Sequence, residues 1–224
     1  MTQDIIISAT TFLLLFLSPS WGNAADTSVL DTEGRPLRAK SRYYILPASQ
    51  GQGGGITVSQ KNQTTLCPLY VSQESQEIYL GLSVWFLPSK HNQRLIYISS
   101  DINILFNMVN ICLQSAAWKL SIDHTTWRKY VATGGAIGNP GEETVSSWFK
   151  IEKVKSGSYE YDYNYKIMYC PNVCSFCMVM CGDVGVFVQD DGTRLLGLSD
   201  RPFYVMFKKA KSRMKQKQYH YNFL

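Results

Sequence analysis

Six cysteines and three histidines are the residues of this chain best equipped for chemistry, and their spacing argues for cross-links rather than catalysis. Cys170, Cys174, Cys177 and Cys181 are nested: the pairs 170 with 181 and 174 with 177 share one midpoint, at Ser175-Phe176. In an antiparallel hairpin each pair would stand directly opposite, with Cα atoms about 4.5 to 5.5 Å apart, inside disulfide range. Positions 170 and 174 are an even number of residues apart, so both bridges could lie on one face. Cys67 and Cys112 then pair by elimination. The competing use of the nested four is a zinc site around the Cys174-x-x-Cys177 core. Export from the cell argues against it, and no metal or cofactor is expected. His91, His124 and His220 stand in neither a G-x-S-x-G nor an H-E-x-x-H setting. Oxidised cysteines offer no nucleophile, so the chain is not expected to be an enzyme. Asn62-Gln63-Thr64 is an N-glycosylation sequon in a polar stretch.

Disulfides require an oxidising compartment, and the N-terminus supplies the route. Residues 5–17 form an apolar run interrupted by Ser8, Thr10 and Thr11, short of the roughly 20 residues that cross a bilayer. Ser18-Pro19-Ser20 breaks it, and Gly22-Asn23-Ala24 places small residues where signal peptidase needs them. Residues 1–24 are therefore expected to be a signal peptide, cleaved after Ala24, although Met1-Thr2-Gln3-Asp4 lacks the usual basic residue. The product would be secreted or vacuolar, with no integral membrane contact.

Of 224 residues, 45% are hydrophobic and 17% charged, enough apolar surface for a packed core and too little charge for a disordered chain. The net charge of +5 is concentrated at one end. Lys208, Lys209, Lys211, Arg213, Lys215 and Lys217 are all basic, and the rest of the exported chain is balanced. This basic tail, residues 208–224, could meet anionic surfaces; a neutral body gives no reason to expect nucleic acid as a partner.

The elements that must hold these residues are strands. Ile56-Thr57-Val58-Ser59, Leu82-Ser83-Val84-Trp85-Phe86, Leu95-Ile96-Tyr97-Ile98, Ile102-Asn103-Ile104-Leu105-Phe106, Trp148-Phe149-Lys150-Ile151, Val184-Gly185-Val186-Phe187-Val188 and Phe203-Tyr204-Val205-Met206-Phe207 are short, β-branched or aromatic. Glycine-rich turns separate them, and Asp190-Asp191-Gly192 is a hairpin signal. About a dozen strands implies an all-β barrel or sandwich. Tyr43-Tyr44-Ile45-Leu46, Trp118-Lys119-Leu120-Ser121 and Tyr165-Lys166-Ile167-Met168 each place an aromatic before an alternating strand, a faint threefold recurrence.

Val29-Leu30-Asp31-Thr32-Glu33-Gly34-Arg35-Pro36-Leu37, followed by Tyr43-Tyr44-Ile45-Leu46, resembles the N-terminal signature of plant Kunitz-type (soybean trypsin inhibitor) proteins. Thr133-Gly134-Gly135 with Gly138-Asn139-Pro140-Gly141 and Trp148-Phe149-Lys150-Ile151-Glu152 is similar to the miraculin-like branch. So are Cys170-Pro171-Asn172-Val173-Cys174 to Cys181-Gly182-Asp183-Val184-Gly185, and Leu198-Ser199-Asp200-Arg201-Pro202-Phe203. The resemblance covers residues 29–210. It implies a β-trefoil, a six-stranded barrel plus three hairpins, over residues 25–207, and the three disulfides named above.

It also implies a function. Such inhibitors present a substrate-like loop so stiffly that a protease binds it and releases it uncut; a basic residue there matches the pocket carboxylate of trypsin-like serine endopeptidases. The stretch matching the family's reactive loop is Leu87-Pro88-Ser89-Lys90-His91-Asn92-Gln93-Arg94, between strands expected at residues 82–86 and 95–98. The resemblance assigns the reactive bond to Lys90 and His91, with Arg94 as the alternative reactive residue. Inhibitory relatives prop the loop with an Asn whose place here falls on Ala39, in Arg38-Ala39-Lys40-Ser41. The chain is therefore expected to be a monomeric inhibitor of a trypsin-like protease. The alternatives are a non-inhibitory defence, storage or taste-modifying protein, or an inhibitor of cysteine or aspartic proteases through another loop. Sugar-binding trefoils are disfavoured because their Q-x-W signature is absent.

Overall fold

The computed structural model describes residues 27–61, 66–154 and 164–211. The expected signal peptide, the sequon at Asn62 and the tail beyond residue 211 lie outside them. Within them twelve strands form: β1 (Arg42–Pro47), β2 (Ile56–Ser59), β3 (Tyr70–Gln73), β4 (Val84–Pro88), β5 (Ile102–Phe106), β6 (Trp118–Ile122), β7 (Lys129–Thr133), β8 (Lys150–Lys153), β9 (Tyr165–Tyr169), β10 (Gly182–Val188), β11 (Arg194–Leu198) and β12 (Tyr204–Lys209). One 3-10 turn, Glu142–Ser147, precedes β8.

Six strands close on themselves. β12 pairs with β1, β1 with β4, β4 with β5, β8 with β9, and β9 with β12; a bridge between Ile102 and Phe149 completes the ring from β5 to the start of β8. The remaining six form the hairpins β2–β3, β6–β7 and β10–β11. The second strands of those hairpins pair with one another in all three combinations. A six-stranded barrel carrying a threefold hairpin cap is the β-trefoil, and closure removes the barrel's exposed edges.

Side-chain alternation decides what fills it. β1 turns Tyr43, Ile45 and Pro47 inward, and β9 turns Tyr165, Ile167 and Tyr169 inward. The rings of Phe86 and Phe207 meet edge-on at 5.5 Å, flanked by Tyr43 and Tyr165, the arrangement aromatic quadrupoles favour. β5 is buried on both faces, because Asn103 faces the connection ahead of β8, donating from Nδ2 to the Ser147 carbonyl and accepting from the Gly138 N–H at Oδ1, both 2.8 Å.

Three sequence expectations need correction. Residues 95–98 are not a strand: Leu95 and Tyr97 make isolated bridges to Arg38 and Ser28, so β4 pairs with β5 and everything from Ser89 to Asp101 is their connection. An apolar alternating run was satisfied by the N-terminal segment instead of by a ladder. Trp118 does not belong with Tyr43 and Tyr165 either, since it opens a cap strand while they open barrel strands; the barrel equivalent is β5, beginning at Ile102. Aromatics open cap strands (Tyr70 of β3, Trp118 of β6) as well as barrel strands (Tyr165 of β9, Tyr204 of β12), so that pattern does not distinguish barrel from cap. Finally, β12 runs through Lys208 and Lys209, which pair with Tyr44 and Tyr43, two residues beyond the expected domain edge.

Candidate functional site

The N-terminal signature forms the seat of the site. Its turn is built by Asp31, whose buried carboxylate accepts the N–H groups of Glu33 and Arg35 at 2.9 and 3.0 Å, while Gly34 takes φ +74°, a conformation cheap only for glycine. The turned segment lies across the barrel end where β1, β5 and β9 begin. Val29 and Leu37 are fully buried there. The Tyr165 hydroxyl accepts the Leu30 N–H and the Tyr43 hydroxyl accepts the Arg38 N–H, both at 2.9 Å.

Against this plug descends the connection between β4 and β5. Its entry is closed by the Ser89 N–H donating to the Asp101 carbonyl at 2.9 Å, one step beyond the Pro88–Ile102 pair. Its exit is sewn to the plug: the Ala39 N–H donates to the Arg94 carbonyl at 2.9 Å, the Ile96 N–H to Leu37 at 3.0 Å, and the Val29 N–H to Ile96 at 2.8 Å. Between these anchors Lys90, His91, Asn92 and Arg94 are exposed and Gln93 is half-buried, whereas Leu87 and Pro88, expected in the loop, are the last residues of β4, paired with Asn103 and Ile102. The crest is a turn in which the Gln93 N–H donates to the Lys90 carbonyl at 3.1 Å. Gln93 also donates from Nε2 to the Leu95 carbonyl at 2.9 Å, an internal brace that sequence reading placed in the loop without assigning it a role.

The two basic residues differ in their main chain. Lys90 and His91 stand clear on the crest. Arg94 has an exposed side chain, but its carbonyl is held by Ala39 and the next residue, Leu95, bridges to Arg38. Ala39 itself supplies only a backbone donor beneath the loop; its methyl packs on the core.

Asp101 ties the loop's base to two neighbours. Both its carboxylate oxygens accept the Asn172 N–H, at 3.1 and 3.2 Å, and Oδ1 lies 3.9 Å from Nζ of the buried Lys150. Burial pushes its pKa up, against the lowering pull of Asn172 and Lys150. Lys150 and Asn172 fall within segments that carry the family resemblance, but nothing in their types or spacing shows that they meet Asp101.

The cysteines pair as Cys67–Cys112, Cys170–Cys181 and Cys174–Cys177, with Cα separations of 5.6, 4.5 and 5.4 Å. Their sulfurs are thereby unavailable to the competing zinc site. Cys170–Cys181 continues the β9–β10 register directly after the Tyr169–Gly182 pair, and Cys174–Cys177 closes the irregular tip beyond it.

The family model described as "Trypsin and protease inhibitor" (Kunitz legume) matches residues 29–209. The chain belongs to the plant Kunitz family. Kunitz trypsin inhibitor 5 of Arabidopsis thaliana is 45% identical over 188 residues, covering 84% of this chain and 88% of that protein. Miraculin of Synsepalum dulcificum is 40% identical over 196 residues, covering 85% and 87%, in keeping with the miraculin-like motifs. Among solved structures, a Kunitz-type cysteine protease inhibitor from potato superposes with a TM-score of 0.70 at 31% identity, covering 84% of this chain and 99% of that one. The Kunitz fold thus accounts for the barrel, the hairpin cap and the bridged hairpin, and family members are inhibitors rather than enzymes.

Proposed function

We propose that this Kunitz protein inhibits a trypsin-like serine endopeptidase by offering the bond between Lys90 and His91 in a loop too stiff to be turned over. The observation that carries the reading is an exposed crest between anchored limbs: Lys90 and His91 stand in solvent while Ser89 and residues 94–96 are hydrogen-bonded to the barrel and its plug. The Lys90 ammonium would pair with the carboxylate of the primary pocket. Because the limbs are already ordered, binding forgoes much of the entropy loss a free peptide would suffer. Arg94 ranks second, since its peptide is paired on both sides with residues 38 and 39.

A specific observation favours a second reading, in which the loop is cut as a substrate. Position 39 places no side-chain amide under the crest, and the Lys90 carbonyl faces the Gln93 N–H, so a protease's oxyanion donors must share or displace that bond. Titrating the protein without residues 1–24 against trypsin, chymotrypsin and papain separates the two. Stoichiometric loss of trypsin activity, abolished by Lys90→Ala and retained by Arg94→Ala, supports inhibition. Digestion to two chains held by Cys67–Cys112 supports the substrate reading, and blockade of papain alone places the activity on another loop.

The same reading has the protein exported, monomeric and glycosylated at Asn62, acting in plant defence or in control of endogenous proteases, with the basic tail meeting anionic surfaces. The intact mass and N-terminal residue of protein purified from plant tissue test its processing.

A further inference from the structure

Strands β4, β1 and β12 stand side by side in the barrel wall, and their pairing fixes which residues share its outer face. Tyr43 stands opposite Val84 and Ile45 opposite Phe207, and all four are buried in the core. The alternate pairs therefore point outward: Arg42 opposite Trp85, Tyr44 opposite Lys208, and Leu46 opposite Met206. Directly opposed side chains have Cβ atoms about 5 Å apart, so each of the two cations lies beside an aromatic ring. Trp85 is 37% exposed, Lys208 is exposed, and Arg42 and Tyr44 are half-buried. Beyond them the wall turns concave, where Leu46 and Met206 line an open groove of about 900 Å³ together with Thr32, Ser49 and Gln50. Glu77 also lines that groove, and its carboxylate accepts the Gly51 N–H.

The charge on this wall is not neutralised. Carboxylates are engaged elsewhere: Asp31 and Glu33 with Arg35, Asp101 with Lys150, Asp123 with Lys61, and Asp183 with Lys166. Among the described residues no carboxylate stands within ion-pair distance of Arg42, Lys208 or the exposed Lys40. The neutrality of the body is thus a sum over the chain, while this part of its surface is positive.

We infer that the outer wall of β4, β1 and β12 binds an acidic polysaccharide, a polymer of uronic acid sugars: Arg42 and Lys208 meet its carboxylates, Trp85 and Tyr44 cover its ring faces, and the chain continues into the groove. An aromatic ring gains by covering the C–H face of a sugar, and its negative face suits those weakly positive hydrogens. Cations alternating with rings match a ligand that repeats a carboxylate on every ring. A small anion needs converging donors, whereas charges spread over a sheet wall favour a multivalent polymer. A lipid surface needs apolar side chains that enter it, and here Leu46 and Met206 are half-buried. The surface owes nothing to the Q-x-W signature that the chain lacks, and it is separate from the tail beyond residue 211. The inference goes beyond the inhibitor reading and does not depend on Lys90.

The test measures binding of the chain without residues 1–24 to polygalacturonate, by tryptophan emission and by retention on the immobilised polymer. Binding should shift the emission and weaken at least tenfold between about 0.05 and 0.5 M salt. Methyl-esterified polygalacturonate, which keeps the rings without the charge, and polyglutamate, which keeps the charge without the rings, should each bind at least about tenfold more weakly. This comparison uses the parent alone, so it decides the matter even where a variant unfolds. Arg42→Gln/Lys208→Gln should weaken binding at least about tenfold at low salt. Trp85→Ala should weaken it about fivefold and abolish the emission shift, and Trp85→Phe should restore most of the affinity. The tail variant Arg213→Gln/Lys215→Gln/Lys217→Gln should stay within about twofold of the parent, because the tail is not the binding surface. The inference is overturned if the parent is not retained by polygalacturonate, if polyglutamate or vesicles of anionic phospholipid bind as tightly, or if the tail variant loses binding while the wall variant keeps it.

Discussion

Replacing Gln93 with alanine removes the side-chain amide that spans the loop to the Leu95 carbonyl at 2.9 Å, while leaving the backbone turn to Lys90 in place. A neutral hydrogen bond contributes a net of about 0.5 to 1.5 kcal/mol. With tenfold in an equilibrium constant for each 1.4 kcal/mol, the crest should occupy its held conformation about 2 to 12 times less favourably relative to the open ensemble. Since Gln93 is half-buried, the lower half of that range is expected. The inhibition constant for trypsin should rise by that factor, and the rate of cleavage between Lys90 and His91, followed by mass spectrometry under catalytic trypsin, should rise with it. Thermal stability should barely move, because the bond is local to a surface connection that opens without unfolding the barrel. An inhibition constant within 1.5-fold of the parent, or slower cleavage, would refute the claim that Gln93 stiffens the loop.

Ala39→Asn offers the complementary gain: an amide beside the backbone donor that already holds the Arg94 carbonyl should slow cleavage by about two- to tenfold, measured in the same digestion. Asp101 carries a pH signature. Its folded pKa lies above the ordinary 3.8 because of burial, so the native state holds this proton more tightly than the unfolded chain, and stability from this group falls as pH rises from 3.8 through the folded value. Asp101→Asn should therefore gain stability relative to the parent between pH 3.5 and pH 7 in urea titrations; a parallel pair of curves would contradict the assignment. Trp118→Ala should cost about 3 to 5 kcal/mol by urea unfolding, because its fully buried indole packs against Phe106 and Phe149 at 5.7 and 5.9 Å.

Much of this was legible in residue types and spacing. The nested cysteines announced a bridged hairpin because a ladder places residues equidistant from a turn opposite one another, and the continued register at Tyr169 and Gly182 does so. Asp190-Asp191-Gly192 announced a turn because glycine tolerates positive φ, and Gly192 adopts +82°. The strands β3, β7 and β11 were not read out, although they are the ones that knit the cap together. Each is short, and its partners in the other hairpins are far off in sequence, with Tyr70 opposite Ala132, Tyr130 opposite Gly197 and Gln73 opposite Arg194, so no local period reports the pairing.

The site divides along the same line. Residue types placed a strand-forming run and a proline ahead of Lys90, because stiffness and β-propensity are local properties of backbone and side chain, while the family resemblance singled out Lys90 itself and the run after it, residues 95–98, bridges the N-terminal segment instead of forming a strand. What holds that loop is not local. The Arg94 carbonyl is met by Ala39, and the base by Asp101 with Lys150 and Asn172. Hydrogen bonds and burial act over a few ångströms in space without regard to separation along the chain, so only closure of the barrel could decide which backbone groups meet, and therefore which part of the loop is tied down and which stands exposed.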